Sequence, residues 1–385
     1  KVLVMKSTDK RLGDYIRQVD VRNRDLAVEN LLGLSIAKQF ISSIANTIGT
    51  DMSNYKVVKP RQFGYVPVTS RNGDKITIAL YNGKEPCIIS QAYVVFEVKD
   101  ETELLPEYLM MWFRRPEFDR YVRFKSHGSA REIFEWEEMC EVMLPVPPIE
   151  EQRKIVAEYQ AIEKRIENNR HLIATLEATA QTIYRKMFVN EIDPENLPEG
   201  WRMGTLGNIT LFISAGTIPI YTEDSDYLVL GQKCNYNHTI SPGKARHHLP
   251  KTSSIPCQLG DVLVNSTGDG TLGRVGLIRF EPQKLTFDSN MTLARPLNQE
   301  WIEYLFVTML NMESLFVQIC QGSTNQTRLY CSMIRSTMCL IPNNESVMNF
   351  HVATKSIFHY QGQLEREINI LAETQNNILS KLSKL

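Results

Sequence analysis

The stretch "IEEQRKIVAEYQAIEKRIENNRHLIATLEATAQTIYRKMFVN" (149–190) contains neither glycine nor proline. From Ile155 onward its apolar positions recur in alternating steps of four and three residues. A narrow apolar seam of this kind needs a partner helix and is typical of a coiled coil. The seam consists of Ile155, Tyr159, Ile162, Ile166, Asn169, Ile173, Leu176, Ala180, Ile183 and Met187.

A second seam with the same phase lies at the C-terminal end of the sequence. Each of its positions follows a position of the first seam by 195 residues. The two helices are therefore predicted to be repeats that pair with each other, although each could instead pack only on its own globular segment. The second seam consists of Ile357, Gln361, Leu364, Ile368, Leu371, Gln375, Ile378 and Leu382.

The order of the segments predicts the direction of the pairing. The first helix ends at the linker "DPENLPEGW" (193–201), and the second helix starts from the globular segment that follows this linker. A domain of that size has a radius of gyration of about 15 Å, whereas a helix of about 40 residues is ~60 Å long. Only antiparallel pairing places the two junctions side by side. Asn169, a polar residue in the seam, is then a candidate for fixing the register.

The same offset recurs in the globular segments, which indicates an internal repeat. Individual matches are short, but together they hold one offset within two residues. We therefore expect two mixed α/β domains on a shared frame with different surfaces, separated by an antiparallel two-helix coiled coil and related by a pseudo-twofold axis. This is an α+β fold with domains at 1–147 and 193–347 and helices at 148–192 and 348–385. The matches are Leu12-Gly13 with Leu206-Gly207, Phe63-Gly64 with Leu259-Gly260, Glu107-Tyr108-Leu109 with Glu303-Tyr304-Leu305, Gly128-Ser129 with Gly322-Ser323 and Val146-Pro147 with Ile341-Pro342.

Within each half, short β-branched runs between turn residues predict strands, and longer periodic runs predict helices. The predicted strands are "KITIALY" (75–81), "IISQAYVVFEV" (88–98), "DVLVNS" (261–266) and "RVGLIRF" (274–280). The predicted helices are "PEYLMMWFRRPEFDRYV" (106–122) and "IEYLFVTMLNMESLFVQI" (302–319).

Composition restricts the class of protein only broadly. The formal net charge is −1 and the hydrophobic share is 43%, as in ordinary globular proteins. No apolar run reaches the roughly 18–20 residues that a membrane span needs, and the opening "KVLVM" is far shorter than a signal peptide. Seven scattered cysteines form no C-x-x-C pair, which predicts reduced thiols in a cytoplasm.

Catalytic and cofactor motifs are weak or missing. Residues 268–273 spell G-x-G-x-x-G, but the strand-like "RVGLIRF" follows where a dinucleotide site needs a helix, so a hairpin tip is favoured over a nucleotide site. No G-x-x-x-x-G-K-[ST] motif occurs. A zinc site could be assembled from Cys234, His247, His248 and Cys257, although their spacing fits no standard finger. The sequence therefore predicts a non-catalytic protein without a metal or a cofactor of its own.

Three segments combine cations with polar or aromatic residues, as nucleic-acid-binding surfaces do. A single run of this kind is as often an ordinary solvated surface. Three runs distributed over both halves favour DNA binding. They are "YKVVKPRQFGYVPVTSRNGDK" (55–75), "RRPEFDRYVRFKSHGSAR" (114–131) and "GKARHHLPK" (243–251).

Several motifs resemble those of specificity (S) subunits of type I restriction-modification systems. They are "LPVPPIEEQRKIV" at the start of the first helix, "LPEGW", "GSAREIFEWEEM" (128–139) and "GDVLVNSTGDGTLGRVG" (260–276), in the order domain, helix, domain, helix. The resemblance covers nearly the whole chain. Two departures concern the second half, where "CLIPNNESVMNFHV" lacks the Pro-Pro-x-x-Glu-Gln-Arg pattern and "GSTNQTRLY" keeps only Gly-Ser.

The resemblance implies that each globular half reads one half of a bipartite, asymmetric double-stranded DNA target. The helix pair would set the gap between the half-sites and would dock methyltransferase (modification) and restriction (translocase-nuclease) subunits. Those partners would bring S-adenosylmethionine, ATP and Mg, and the chain itself would hold no cofactor. Two alternatives stay open at this point: the recognition part of a type II-like restriction-methylation enzyme, and a coiled-coil structural adaptor without DNA contact.

The candidate DNA-contacting residues are polar or cationic side chains on glycine-flanked loops. Asn, Gln and Arg are expected to read bases, and lysines to contact phosphates. In the first half they are Lys59, Arg61, Arg71, Ser126, His127, Ser129 and Arg131. In the second half they are Lys244, Arg246, His247, Asn265, Ser266, Thr267, Thr271, Arg274, Asn325, Gln326 and Arg328.

Overall fold

The structure is a computed structural model that describes residues 9–43, 49–70, 75–126, 132–190, 192–322 and 327–384. The chain divides into two compact units, Lys1–Arg165 with Leu371–Leu385, and Ile166–Ile370. Each unit thus contains one globular half together with parts of both long helices.

The two longest helices follow the two seams. Pro147 and Pro148 precede the first, and the carbonyl of Pro148 accepts the amide protons of Glu151 and Gln152 in its first turn. Acidic residues stand in its first turn and basic residues in its last, which complements the helix dipole. The helices are α1 (Pro106–Arg114), α2 (Pro116–Lys125), α3 (Trp136–Cys140), α4 (Ile149–Phe188), α5 (Ile302–Leu310), α6 (Glu313–Ile319), α7 (Cys331–Ser336) and α8 (Asn344–Lys381).

The packing inside each unit shows that α4 and α8 run antiparallel. In the first unit, Val156 and Tyr159 of α4 share a core with Leu379 near the end of α8. In the second unit, Tyr184 near the end of α4 shares a core with Val347 near the start of α8. The long helices therefore pair with each other and also pack on the globular halves.

Among its described residues, the first half contains ten short strands and a four-stranded sheet with the order β2-β9-β6-β7. Its core is apolar and aromatic, with Phe63 stacked on Phe96 at a centroid distance of 4.7 Å. The strands are β1 (Asp9–Arg11), β2 (Ile16–Val19), β3 (Leu32–Leu34), β4 (Phe40–Ser42), β5 (Lys56–Val58), β6 (Phe63–Tyr65), β7 (Ile78–Leu80), β8 (Cys87–Ile89), β9 (Val94–Val98) and β10 (Met143–Pro145).

The second half contains a six-stranded sheet with the order β12-β21-β18-β19-β16-β15 and a four-stranded sheet with the order β13-β17-β14-β20. The strands are β11 (Arg202–Thr205), β12 (Thr210–Ala215), β13 (Ile220–Tyr221), β14 (Leu228–Leu230), β15 (Asn235–Tyr236), β16 (Thr239–Ile240), β17 (Arg246–Leu249), β18 (Val262–Asn265), β19 (Val275–Leu277), β20 (Leu285–Phe287), β21 (Met291–Pro296) and β22 (Met338–Ile341).

The internal repeat is present in the hydrogen bonding of both halves. The hydroxyl of Tyr108 donates to the carbonyl of Pro145 at 3.1 Å, and the hydroxyl of Tyr304 donates to the carbonyl of Leu340 at 2.7 Å. In each half the first and last strands pair antiparallel, β1 with β10 and β11 with β22. The sheet order β2-β9-β6-β7 recurs as β12-β21-β18-β19.

One predicted match within the repeat is wrong. Phe63-Gly64 was expected to correspond to Leu259-Gly260, but β6 occupies the place of β18 in the sheet order. Phe63 pairs with Phe96 in the way that Val262 pairs with Ala294. The offset rises from 194 at Leu12 and Leu206 to 199 at Phe63 and Val262, so the second half carries a net five extra residues before this strand. The offset returns toward 195 at the helices.

Both predicted globular helices are interrupted. Pro116 forces Arg115 into an extended conformation and separates α1 from α2. In the second half, Asn311 and Met312 separate α5 from α6. The predicted strand 88–98 is likewise divided into β8 and β9. Among the described residues, no helix is both long and apolar enough to pass through a lipid bilayer.

Candidate nucleic-acid interface

The loop between β18 and β19 is a hairpin connection, because the two strands pair antiparallel up to Val264 and Val275. Gly268 has a φ of +104°, and a Cβ there would lie 2.4 Å from the side chain of Gln232. Glycine is therefore required at this position. A helix does not open here, so the G-x-G-x-x-G pattern does not form a dinucleotide site.

Three loops meet at this hairpin through polar side chains. Gln232 donates to the hydroxyl of Thr267, and that hydroxyl donates to the side-chain oxygen of Asn290 at 3.1 Å. Thr271 lies 3.5 Å from the side-chain oxygen of Gln232 and is half-buried. Thr267 and Thr271 thus hold loops together, while the hairpin tip at Asp269 and Gly270 is exposed.

Asn265 and Ser266 were predicted to read bases, but both side chains are buried. Ser266 shares a hydrogen bond with Thr292 at 2.7 Å. Asn265 accepts from Asn235 at 3.3 Å and donates to the carbonyl of Gln232 at 3.4 Å. A fully buried side chain does not reach a base in this conformation, so nothing in it supports their direct contact with DNA, which stays a prediction. They position the loop instead.

Two cations flank one exposed tyrosine beside this hairpin. Tyr236 is 61% exposed, and the charged groups of Lys244 and Arg274 each lie 6.0 Å from the centre of its ring. Arg274 also donates to the carbonyl of Gly270 at 2.9 Å. An exposed aromatic ring next to cations is the combination with which proteins stack on nucleotides and neutralise phosphates. We call Tyr236, Lys244 and Arg274 the cation–tyrosine cluster.

A second pair of this kind lies on the sheet β13-β17-β14. The guanidinium of Arg246 stacks on Tyr221 at 3.5 Å, and His247 hydrogen-bonds the carbonyl of Ser225 at 2.6 Å. Both Arg246 and His247 are exposed. The acidic loop Glu223–Asp226 adjoins them, which lowers the positive potential at this place relative to the cation–tyrosine cluster.

The four residues of the possible zinc site do not converge. His247 and His248 are consecutive in β17, so their side chains point to opposite faces of the strand. His248 is buried and bonded to Thr286 at 2.8 Å, and burial lowers its pKa. Among the described residues, no group of three or more His, Cys, Asp or Glu is placed to hold a metal ion.

Arg328 is tied to the protein rather than extended into solvent. It is half-buried, donates to the carbonyl of Ser289 at 2.7 Å and lies 5.9 Å from the ring of Tyr330. Its backbone forms a bridge with Gln321. Asn325 and Gln326 lie outside the described residues.

The first half offers fewer described candidates. Lys59 is exposed, whereas Arg61 is held by Glu101 at 2.7 Å and by Glu107 at 2.6 Å. The hydrogen bond to Glu101 raises the pKa of Arg61, and the two carboxylates offset its charge toward phosphate. Ser126 is buried and donates to the carbonyl of Val122 at 2.8 Å, so this conformation does not offer its side chain to DNA, and the predicted contact stays a prediction. Arg71, His127, Ser129 and Arg131 lie outside the described residues.

No seam residue of the two long helices is exposed. Asn169 is fully buried and donates to Glu367 of α8 at 2.9 Å, and Gln361 donates to the carbonyl of Ile173 at 3.1 Å. The buried seam positions are Tyr159, Ile166, Asn169, Ala180, Gln361, Leu364 and Leu382. The half-buried ones are Ile155, Ile162, Ile173, Leu176, Ile183, Met187, Ile357, Ile368, Leu371, Gln375 and Ile378.

Known proteins match both the sequence and the fold. Residues 42–178, about a third of the chain, match the family described as the type I restriction modification DNA specificity domain. This part of the chain is similar to a type I DNA specificity domain. The domain match includes most of the first globular half and most of α4.

Longer matches agree with this assignment. The chain is 22% identical over 327 residues to the type I restriction enzyme MjaIX specificity subunit of Methanocaldococcus jannaschii, covering 78% of this chain and 72% of that protein. Its fold matches the type I restriction-modification S subunit from M. genitalium with a TM-score of 0.58 at 12% identity, covering 99% and 98% of the two chains. The HsdS subunit from Thermoanaerobacter tengcongensis aligns with a TM-score of 0.36 at 19% identity, covering 98% and 96% of the two chains. The chain thus resembles type I specificity subunits over nearly its whole length.

Sequence reasoning missed the aromatic part of the interface. Tyr221 and Tyr236 were not among the candidates, although "NYNH" (235–238) places a tyrosine inside a polar turn, which is a readable signal for an exposed ring. Two further residues join the loops of the second globular half, Gln232 and Asn290. The sequence gives no such signal for them, because their hydrogen-bond partners are distant in sequence.

Proposed function

We propose that this chain is the non-catalytic DNA-specificity subunit of a type I restriction-modification complex. Each globular half reads one half of a bipartite, asymmetric target, and the α4–α8 pair sets the spacing between the half-sites. Methyltransferase and restriction subunits dock on the chain and supply the chemistry with S-adenosylmethionine, ATP and Mg.

The observation that carries the proposal is the repeated frame. The equivalent bonds of Tyr108 and Tyr304, and the equivalent sheet orders, show that one architecture occurs twice in the chain. An asymmetric bipartite target needs two readers of the same kind with different contact surfaces. The family match lies on the first copy, and the sheet order extends the same frame to the second.

The surfaces of the two copies differ as this function requires. The second half carries the cation–tyrosine cluster and the Arg246–Tyr221 pair. In the first half, the described candidates are the exposed Lys59 and the acid-bound Arg61. Base edges are read by polar groups and phosphates by cations, so different loops on one frame give different half-site sequences.

The proposal is tested with the chain reconstituted with its methyltransferase subunits. Mapping methylated adenines should return one bipartite motif, and methylation without sequence preference would contradict the proposal. Lys244→Ala should weaken binding about evenly across sequences and reduce the salt slope by about one unit, as expected when one phosphate contact is lost.

Lys284→Ala is the matched control for Lys244→Ala. It changes the net charge by the same amount, but the ammonium of Lys284 is already paired with Asp226 at 2.9 Å. An equal loss of affinity in both variants would assign the effect to overall charge and would remove the cation–tyrosine cluster from the interface. The alternative function as a structural adaptor predicts no specific binding with any variant.

A further inference from the structure

The hairpin β15–β16 contacts both long helices inside the second unit. Nδ1 of His238, at the tip of the hairpin, lies 2.8 Å from Oε1 of Glu177 on α4. The hydroxyl of Thr239, the next residue, donates to Oε1 of Glu365 on α8 at 3.0 Å. One short hairpin therefore bridges the two helices.

A buried ion pair reinforces the contact with α8. Nη1 of Arg279 lies 2.8 Å from Oε1 of Glu365, and the two side chains are only 3% and 9% exposed. The same nitrogen donates to the carbonyl of His238 at 3.2 Å, so Arg279 holds the hairpin and the helix together. We call His238, Thr239, Arg279, Glu177 and Glu365 the hairpin clamp.

Aromatic rings and the backbone of α8 closely surround Arg279. Its guanidinium lies between Phe306 and Phe358, 5.1 Å and 5.6 Å from the ring centres. A Cβ at Gly362 of α8 would lie 2.6 Å from the carbonyl oxygen of Arg279. Glycine is unfavourable inside a helix, so its presence here indicates that α8 must approach the backbone of Arg279 closely.

The clamp is poorly suited to stabilise the fold but well suited to specify a geometry. Burying both charges of an ion pair carries a desolvation penalty that often cancels their attraction. In addition, Nε and Nη2 of Arg279 have no hydrogen-bond partner among the described residues. An apolar pair would fill the same space with less penalty, whereas an ion pair enforces one relative position of its partners.

The other side of the same hairpin holds the candidate interface. Asn235 donates to the carbonyl of Arg274 at 2.9 Å and to the side chain of Asn265 at 3.3 Å. Tyr236 is the ring of the cation–tyrosine cluster. The hairpin thus connects the helices directly to the loops that are proposed to contact DNA.

We propose that the hairpin clamp is a spacing-specificity element, which holds the second reading surface at one orientation on the helix pair and so restricts the gap accepted between half-sites. Arg279 and Glu365 are positioning residues in this role. The inference rests on the proposed function and adds that the helix pair alone does not set the gap.

The test uses the full chain with its methyltransferase subunits and DNA targets whose half-sites are unchanged but whose gap is one base pair shorter or longer. Replacing the ion pair by apolar residues, Arg279→Met with Glu365→Leu, should lower discrimination against the wrong gaps by about tenfold. The base preference inside each half-site should stay that of the parent.

A second buried ion pair provides the matched control. Arg295 and Asp261 lie 2.8 Å apart in the same globular half, and neither contacts α4 or α8 in the described hydrogen bonds and ion pairs. Arg295→Met with Asp261→Leu should leave gap discrimination unchanged. Equal relaxation in both double variants would assign the effect to general loosening and would overturn the proposal.

A milder variant covers the case in which the clamp double variant does not fold. Glu177→Gln removes the charge on the α4 side only, and it should relax the gap less than the double variant. Strict gap discrimination in every folded clamp variant would overturn the clamp proposal. Absence of any preferred bipartite site in the parent complex would instead overturn the proposed function, so the two failures are distinguishable.

Discussion

Gln152 of α4 and Glu365 of α8 each attach a globular half to a long helix, but through different kinds of interaction. Gln152 is fully buried, accepts the amide proton of Leu105 at 2.9 Å and donates to the carbonyls of Glu103 and Pro147, both at 2.8 Å. Glu365 is buried against Arg279. The first globular half is therefore attached to α4 by these neutral hydrogen bonds and by a solvent-accessible ion pair, Arg114 with Glu163 at 2.8 Å. The ion pair that attaches the second half is buried.

The repeat makes this difference instructive. The position 195 residues after Gln152 is Val347, which packs in the apolar core of the second unit. The second half therefore has no counterpart of the Gln152 side chain. It is attached at positions of α8 beyond Val347 instead, where Glu365 contacts Arg279 and His351 contacts Glu303 at 2.7 Å. A shared frame therefore does not require shared attachments.

The largest effect is expected from Glu365→Leu. This change leaves the guanidinium of Arg279 buried without its counter-ion, which should reduce the stability of the second unit by about 3–5 kcal/mol. Differential scanning calorimetry of the full chain should show a lower Tm for that unit. Adding Arg279→Met should restore most of the loss, and additive losses in the double variant would contradict the coupling.

A smaller effect is expected from Gln152→Ala in the first unit. Three hydrogen bonds are lost, and the amide of Leu105 at the start of α1 loses its partner, which should reduce stability by about 1–3 kcal/mol. Gln160→Ala is the control, since Gln160 is exposed on the same helix. If both variants melt alike, Gln152 does not attach the domain to the helix.

The two long helices and their antiparallel pairing could be predicted from the sequence, because they depend on a periodic pattern of apolar residues. The seam from Ile155 to Met187 and its copy in α8 are local patterns that any helix must satisfy, and the linker at 193–201 fixed the direction of pairing. The sheet was harder, because a net five extra residues before β18 change the offset without leaving a motif. Only the pairing of Val262 with Ala294 shows which strands correspond.

The interface was predictable only by region. The segments 243–251 and 260–276 do meet in the second half, through Lys244 and Arg274 around Tyr236. Which polar side chains face solvent depends on distant partners. Asn265 is buried by Asn235, and Arg61 is neutralised by Glu101 and Glu107, none of which adjoins it in sequence. Polarity therefore located the loops but not the contacting atoms.

The smallest effect concerns the contact between His238 and Glu177 on α4, which depends on pH. The hydrogen bond with Glu177, together with Glu313 at 3.7 Å, raises the pKa of His238 from its ordinary 6.5 to about 9. Because the folded state binds the proton more tightly, this stabilisation is complete below pH 6.5 and is lost as pH rises through 9. The described part of the first unit contains no histidine.

The Tm of the second unit should accordingly fall between pH 6.5 and 9 more steeply in the parent than in His238→Gln, when both are measured by calorimetry. Other groups that titrate in this range contribute equally to both proteins and cancel in the difference. His359→Gln is the control, because His359 is exposed on α8 and bonds only to Gln363 among the described contacts. Parallel profiles for the parent and His238→Gln would show that the α4 side of the clamp carries no charge-dependent stability, and the attachment of the second half would then rest on Arg279 and Glu365 alone.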